Sequence, residues 1–278
     1  MDISKAPDIS SLREKFIQFL KEKRRANATI LAYNKDIEQL STCLAGIGKK
    51  SINEITKENL ESFLKQLEKE GYTAKSLSRK INSIKTFYRF LKIQNIITVN
   101  PATEILHPKY EIKPPRILSK MEYRALRDAC RGDTRTYAIV EMFLQTGIRI
   151  GELANLKLEH IKDNELIIET YEKHPQRAVP LNKAVKNALE KWMDVRTKTD
   201  NPALFVTKTG RPLLVRNIRT TIDRYFRFAG IENAKVNDLR HTFIAHHLAS
   251  GTPLTAISKL VGHKRLSTTE KYLDMVKE

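Results

Sequence analysis

Four prolines near the middle of the sequence divide the chain into two parts. Pro101, Pro108, Pro114 and Pro115 all lie within residues 96–117. Proline lacks a backbone N–H and disfavours helix at the residue before it, so this stretch is predicted to be a linker. A length of 278 residues agrees with two domains. We therefore predict one domain over residues 1–95, the linker over 96–117 and a second domain over 118–278.

The first part has the apolar periodicity of helices. Residues 9–95 contain four stretches in which apolar residues recur at spacings of three and four, which predicts four helices. Asn27 is expected to cap the second helix, and Thr56 with Asn59 the third, which Gly71 ends. The fourth helix is predicted from about 73 to 93. Its inward apolar residues are Leu77, Ile81, Ile84, Tyr88 and Leu91.

The opposite face of this fourth helix is basic. No Asp or Glu occurs between Glu70 and Glu104. Solvated faces usually mix both signs of charge, so a surface that faces DNA is favoured over a merely solvated one. The basic residues of this face are Lys75, Arg79, Lys80, Lys85, Arg89 and Lys92. The first five are the predicted DNA contacts.

The net charge restricts the partner of the whole chain. It is +18, with a pI near 9.8, and both predicted domains carry the excess. Nucleic acid is the favoured polyanionic partner, held as in a clamp, and a membrane surface is the second choice. A polar N-terminus and the lack of an apolar run of eighteen residues predict neither a signal peptide nor a membrane span. Cys43 and Cys130 are expected to be buried thiols of a cytoplasmic protein, and no metal-ligand spacing is present.

The second part predicts helices with a small sheet. Ser119 and Glu122 form a capping box, and a helix over about 134–146 ends at Gly147. Two β-favouring runs surround a polar turn and predict a hairpin, with a possible third strand further on. Those runs are Leu166–Thr170, Ala178–Leu181 and Leu204–Val206. Two later helices are predicted, one capped by Asn182 and one over Val215–Phe228. Three final helices are predicted to begin at about Asp238, at Thr252-Pro253 and at Ser267, where Glu270 would complete a second capping box.

Three reactive side chains lie in the last forty residues. Tyr272 follows His263 by nine residues, and Arg240 lies further back at the start of a helix. A phenol, an imidazole and a guanidinium suit attack on a phosphate. The phenol is then the nucleophile, and the cations hold the charged oxygens of the transition state.

These and other motifs resemble the tyrosine recombinases, above all the Xer-type resolvases and related integrases. The motifs are TGIRIGEL at 146–153, a hairpin lysine before AVPL, DLRHTF at 238–243, LVGH at 260–263 and the terminal Tyr272. The resemblance covers nearly the whole chain. It implies a mainly α fold, with a four-helix, SAM-like core-binding domain followed by an α+β catalytic domain with a small antiparallel sheet.

The resemblance also implies roles for individual residues. Arg149 and Arg240 would clamp the non-bridging oxygens of one phosphate, and His263 would donate a hydrogen bond to it. Lys173 would protonate the leaving 5′ oxygen. A salt bridge to Glu152 as the sole role of Arg149 is the weaker interpretation, and a solvated turn lysine is the alternative for Lys173.

The sequence departs from the family pattern in three places. Asn237, a further catalytic candidate, stands where the family usually has a histidine. Its amide can hydrogen-bond the phosphate or orient Tyr272, but it cannot accept a proton. His241 is expected to be structural, and His246 and His247 to lie at the helix surface or in packing contacts. The usual Gly-Lys-Gly turn is replaced around Lys173. Few residues follow the tyrosine, so either its helix is exchanged between protomers or protomer contacts are weaker.

The implied activity is site-specific DNA recombination through a 3′-phosphotyrosyl intermediate. Bond energy is kept in that link, so no ATP is expected, and the motifs contain no carboxylate cluster for a metal. Four protomers would hold two duplexes at inverted-repeat sites, with accessory proteins left open. Dimer resolution is favoured over integration of a mobile element. A DNA-binding relative without catalysis and a type IB topoisomerase-like enzyme remain alternatives.

Overall fold

The computed structural model describes residues 8–49, 51–111, 113–171 and 174–275. The chain forms two units, which divide between Lys113 and Pro114. This division falls inside the stretch that contains the four prolines. The predicted mainly α fold with a small antiparallel sheet is confirmed.

The first unit contains four α-helices in its described part. They are α1 (Ile9–Glu22), α2 (Asn27–Gly46), α3 (Lys57–Lys69) and α4 (Ala74–Ile93), with a 3-10 turn over Ile52–Glu54 between α2 and α3. The predicted Thr56–Asn59 capping box is present, and Gly71 takes the left-handed conformation that follows α3. The predicted cap of α2 is wrong by one residue, because Asn27 is already helical and Ala26 precedes it.

Aromatic residues fill the core between α1 and α4. The Phe16 ring lies 5.2 Å from Phe87 and 5.6 Å from Phe90, measured between ring centroids. Tyr88 is also fully buried, as its place on the inward stripe of α4 predicts. The expected burial of Cys43 is wrong, since this thiol is only half-buried and donates to the Gln66 side chain.

The second unit is built around a helix that is buried on most sides. Its elements are α5 (Lys120–Cys130), α6 (Thr134–Thr146), α7 (Ile150–Ala154), β1 (Glu165–Ile168), β2 (Arg177–Pro180), α8 (Lys183–Val195), α9 (Val215–Phe228), α10 (Val236–Ala249), α11 (Leu254–Val261) and α12 (Ser267–Glu270), with 3-10 turns over Leu158–His160 and Leu273–Met275. Helix α6 packs against α5, α8, α9 and α10. Its apolar residues are therefore buried around most of its circumference, among them Ile139, Val140, Met142 and Phe143.

Several local predictions hold in this unit. The Ser119–Glu122 capping box is present, and Asn182 caps α8 by accepting from the Val185 N–H. Gly147 ends α6 at a φ of +59°, and a Cβ there would lie 2.5 Å from the Phe243 ring. Glycine is thus required at 147 both by the backbone and by packing.

Two predictions for this unit are wrong. The described residues contain a sheet of β1 and β2 alone, with Leu166 paired to Val179. Of Leu204–Val206, only Val206 forms an isolated bridge, to Pro212. A three-residue run without a continuous neighbour cannot form a ladder. The second capping box is also missing, because Ser267 lies inside α12 and Leu266 occupies the cap position without a side-chain bond.

Candidate active site

Arg149 lies at the start of α7, directly after the turn that ends α6. Its backbone N–H donates to Glu152 Oε2 over 2.9 Å, and its Nη1 donates to Glu152 Oε1 over 3.0 Å. The guanidinium also donates to the carbonyl oxygens of Val261 and Gly262, over 3.1 and 3.0 Å. These bonds fix the head of Arg149 at the C-terminal end of α11.

Glu152 is the anchor of this arrangement. Its side chain is fully buried, and besides Arg149 it accepts two bonds from Arg177 on β2, of 2.9 and 2.6 Å. Burial opposes ionisation of Glu152, but the charge and hydrogen bonds of Arg177 and Arg149 outweigh it and lower the pKa to about 2. Glu152 therefore orients Arg149 and carries a negative charge at neutral pH.

Arg177 is a residue of this cluster that the sequence analysis missed. In addition to its two-pronged contact with Glu152, its Nε donates to the Leu260 carbonyl over 2.8 Å. It packs against Gly262, where an added Cβ would lie 3.0 Å from Arg177 Nη1. The only signal in the sequence was a basic residue directly before the second predicted strand, four residues after Lys173.

Arg240 reaches the same place from α10. Its Nη1 donates to the Gly147 carbonyl over 2.5 Å, and its Nη2 to the Val261 carbonyl over 2.6 Å. Since Arg149 also donates to Val261, the two guanidinium groups lie side by side. Arg240 is 4% exposed, and among the described residues it forms no salt bridge. Burial and the charge of Arg149 lower its pKa, yet a guanidinium stays protonated at neutral pH.

His263 follows the left-handed Gly262 at the end of α11. Its Nδ1 shares a 2.8 Å hydrogen bond with Thr269 Oγ1, whereas Nε2 bonds to no described residue. Burial, and then the charges of Arg240 and Arg149, lower the pKa of His263 to about 3. The imidazole is therefore neutral at pH 7, with one nitrogen held and the other available.

The phenol of Tyr272 completes the cluster. Its ring is buried against Phe243, Ile257 and Val261, and it stacks on His263 at 6.5 Å between centroids. Burial raises the pKa of Tyr272, and the charges of Arg240 and Arg149 act against this rise. The structure thus brings together Tyr272, His263 and both arginines within one unit.

Asn237 and His241 connect to this phenol in series. The Asn237 amide lies 2.9 Å from His241 Nε2, and His241 Nδ1 lies 2.5 Å from Tyr272 Oη. Asn237 and Arg240 also line a cavity of about 470 Å³. His241 was expected to be structural, and in the structure its imidazole contacts the phenol oxygen directly. His247, in contrast, packs on Phe243 as expected.

Lys173 lies outside the described residues. The residues on either side of the gap, Tyr171 and His174, bond to each other through their backbones. Burial and then the charge of Arg149 lower the pKa of His174, and the charge of Glu152 acts against them. His174, the first described residue after the gap, therefore lies near the arginine cluster.

The predicted DNA contacts of the first unit lie in two different environments. Lys75, Arg79, Lys85 and Arg89 line one groove of about 590 Å³ along α4, together with Tyr33 and Tyr110. Arg79 also pairs with the buried Asp36.

Lys80 does not share this surface. It is 4% exposed and donates to Asp36 over 3.0 Å and to Gln39 over 2.6 Å. Its expected place on the exposed face is therefore wrong. The helix turns Lys80 toward α2, where a buried carboxylate compensates its charge.

No cluster of His, Cys, Asp or Glu among the described residues has the arrangement of a metal site. The same part of the chain contains no helix that is long and apolar enough to span a bilayer.

Comparison with known proteins agrees with this geometry. The model of the phage integrase family matches residues 116–278, and that of its N-terminal SAM-like domain matches residues 14–95. The chain belongs to the phage integrase family, the class that its fold and its cluster of arginine, histidine and tyrosine define, and the predicted resemblance is confirmed.

Its relatives include recombinases of the Xer type. Tyrosine recombinase XerC of Staphylococcus carnosus is 30% identical, over 95% of this chain and 92% of the relative. The crystal structure of XerA recombinase has a TM-score of 0.54 at 27% identity and covers 95% of this chain and 93% of its own. A lambda integrase tetramer bound to a Holliday junction has a TM-score of 0.81 at 19% identity, covering 99% and 80%, and it supports the fold alone.

Proposed function

We propose that this chain is a site-specific tyrosine recombinase, which cuts and rejoins DNA through a 3′-phosphotyrosyl intermediate. The proposal rests on one observation: Arg149 and Arg240 both donate a hydrogen bond to the Val261 carbonyl, beside the Tyr272 phenol. Buried charges are normally compensated by an opposite charge. Glu152 forms salt bridges with Arg149 and Arg177 but not with Arg240. One carboxylate thus faces three guanidinium groups, and the cluster retains positive charge that suits a phosphate.

In the proposed reaction, Arg149 and Arg240 bind the non-bridging oxygens of the scissile phosphate. Their planar donors match that geometry and stabilise the charge of the transition state. His263 donates a further hydrogen bond through Nε2, the nitrogen that Thr269 does not hold. Tyr272 Oη attacks phosphorus and displaces the 5′ oxygen.

The leaving 5′ oxygen needs a proton, and we assign this role to Lys173. The 5′ hydroxyl of a partner strand then attacks the phosphotyrosine and releases Tyr272. The bond energy is conserved at each step, so strand exchange requires no ATP. Relatives of the Xer type support chromosome or plasmid dimer resolution as the biological role, acting on inverted-repeat sites in the cytoplasm. Integration of a mobile element is the second candidate.

DNA binding is assigned to both units. The groove lined by Lys75, Arg79, Lys85 and Arg89 is the proposed contact in the first unit, because side chains of this kind neutralise phosphates. Lambda integrase, which shares the fold, binds a Holliday junction as a tetramer. We propose the same assembly here, with the two duplexes held by four protomers.

Covalent trapping tests the nucleophile. The DNA site is first identified from genomic fragments that the Tyr272→Phe protein binds. The substrate then carries a nick beside the cleavage point, so that the short fragment with the 5′ hydroxyl dissociates after cleavage and cannot be rejoined. The wild-type protein is expected to give an SDS-stable protein–DNA adduct, and Tyr272→Phe none. Tyr225→Phe is the matched control, since this phenol bonds to Asp133 instead. An adduct with Tyr272→Phe would refute the assignment, and the absence of any adduct or nick with the wild-type protein would favour a non-catalytic DNA-binding protein.

A further inference from the structure

A chain of three polar side chains ends at the nucleophile. Asn237 and His241 are four residues apart on α10, so they lie one above the other on one face of the helix. The Asn237 amide is 2.9 Å from His241 Nε2, and Nδ1 of the same ring is 2.5 Å from Tyr272 Oη. The imidazole therefore bridges an exposed amide and a buried phenol.

The phenol needs a proton acceptor before it can form a bond to phosphorus. An unperturbed phenol has a pKa of about 10, and burial raises the pKa of Tyr272 further, against the opposing charges of Arg240 and Arg149. Asn237 has no basic nitrogen. Among the described residues, His241 is the side chain that forms a hydrogen bond with the phenol oxygen.

We infer that His241 is the general base of strand cleavage and the general acid of rejoining, with Asn237 as the residue that fixes its tautomer. The inference rests on the proposed function. In cleavage the Tyr272 Oη–P bond forms and the P–O5′ bond breaks. The phenol proton moves to His241 Nδ1, and the proposed acid Lys173 gives a proton to the 5′ oxygen. In rejoining both protons return.

The amide of Asn237 can support this cycle. In the structure its nitrogen faces His241 Nε2, an arrangement that suits a ring with the proton on Nδ1. A half-turn of the amide presents the oxygen instead, which accepts a hydrogen bond from Nε2–H in the other tautomer and leaves Nδ1 free as the base. The two ends of an amide have nearly the same shape. Asn237 is exposed, and its amide bonds to no other described side chain that would hold it in one orientation.

The other titratable groups near His241 agree with its role as the base. Asp238 and Arg240 on its own helix act in opposite directions on the pKa of His241, which burial lowers. The ring is therefore neutral near pH 7, as a base must be. His263 also faces the phenol, but it stacks on the ring, and its Nδ1 is held by Thr269. This geometry suits a phosphate contact and not transfer of the phenol proton.

The test measures single-turnover adduct formation on the nicked DNA between pH 6.5 and 9. The wild-type rate is expected to be almost flat, because neutral His241 is already present at the lower pH. His241→Ala is expected to lower the rate about 100-fold or more near pH 7. Its rate should then rise about tenfold per pH unit as the phenol ionises without help. His247→Ala, which removes a histidine one and a half turns away on the same helix, should match the wild type.

A second variant separates a chemical role from a structural one. The double change Asn237→His with His241→Ala returns an imidazole to the position that the family pattern uses. It is expected to recover about tenfold or more of the lost rate and to flatten the pH profile again. A wild-type rate in His241→Ala, or a uniform loss at every pH with no recovery in the double variant, overturns the inference. Neither result touches the proposed function, which fails if Tyr272→Phe still forms the adduct or if the wild-type protein forms none.

Discussion

The buried carboxylate of Glu152 provides the most quantitative prediction. Glu152→Gln keeps the shape of the side chain but removes the charge that faces Arg149 and Arg177. The pKa of Glu152 falls from 4.5 to about 2 on folding. At 1.36 kcal/mol per unit, this corresponds to about 3 kcal/mol of stability. Loss of one member of a buried ion pair costs about 3–5 kcal/mol, which agrees.

Urea unfolding can measure this loss in the catalytic unit alone. The chain has a single tryptophan, Trp192, which is buried in α8 and stacks on Phe205. Its fluorescence therefore reports the second unit. With a slope of about 2 kcal/mol/M, Glu152→Gln is expected to lower the urea midpoint by about 1–2 M.

Glu159→Gln is the control, because that carboxylate is exposed and its closest ion pair, with Lys157, lies at the surface. Its midpoint should not move. The pH dependence supplies an independent check. The contribution of ionised Glu152 is complete above pH 4.5 and is lost as the pH falls toward 2. Glu152→Gln should therefore flatten the stability curve in this interval. Equal urea midpoints for both variants would refute the reasoning.

Two further predictions concern other charges. Lys80→Met should destabilise the first unit, since it removes a partner of the buried Asp36. Lys75→Met should instead leave stability unchanged and reduce the salt dependence of DNA binding by about one phosphate contact. Thermal unfolding and a salt titration of DNA affinity distinguish them, and loss of DNA affinity alone in Lys80→Met would contradict the buried pair. The imidazole of His263 should remain uncharged down to pH 5 in the DNA-free protein, because its pKa is about 3. An NMR pH titration, with His263→Gln to identify its signal, checks this, and a midpoint near 6.5 would contradict it.

The sequence predicted those features that depend on local rules. Capping boxes at Thr56 and Ser119 and the glycine at 147 need only the backbone geometry of a helix end, and all are present. Arg240, His263 and Tyr272 were candidates from their chemistry and position, and Arg149 from the resemblance to the tyrosine recombinases. The fold brings these side chains into one cluster.

The failures concern side chains whose position depends on another element. Lys80 lies at the border between the two faces of α4, and its bonds to Asp36 and Gln39 on α2 hold it inward. Arg177 and Glu152 are joined across β2 and α7, which no spacing along the chain reveals. The contact of His241 with Tyr272 likewise depends on where the last residues return.

The C-terminal end of α11 shows why variants of the arginines need careful interpretation. The final carbonyl groups of a helix have no partners within it. Here Arg177 donates to Leu260, Arg149 and Arg240 both donate to Val261, and Arg149 donates to the next carbonyl. The side chains that bind phosphate thus also cap a helix. Replacing Arg149 or Arg240 therefore also removes hydrogen bonds that hold the end of α11, directly before His263. The measured loss of cleavage then includes a misplaced imidazole as well as a missing cation.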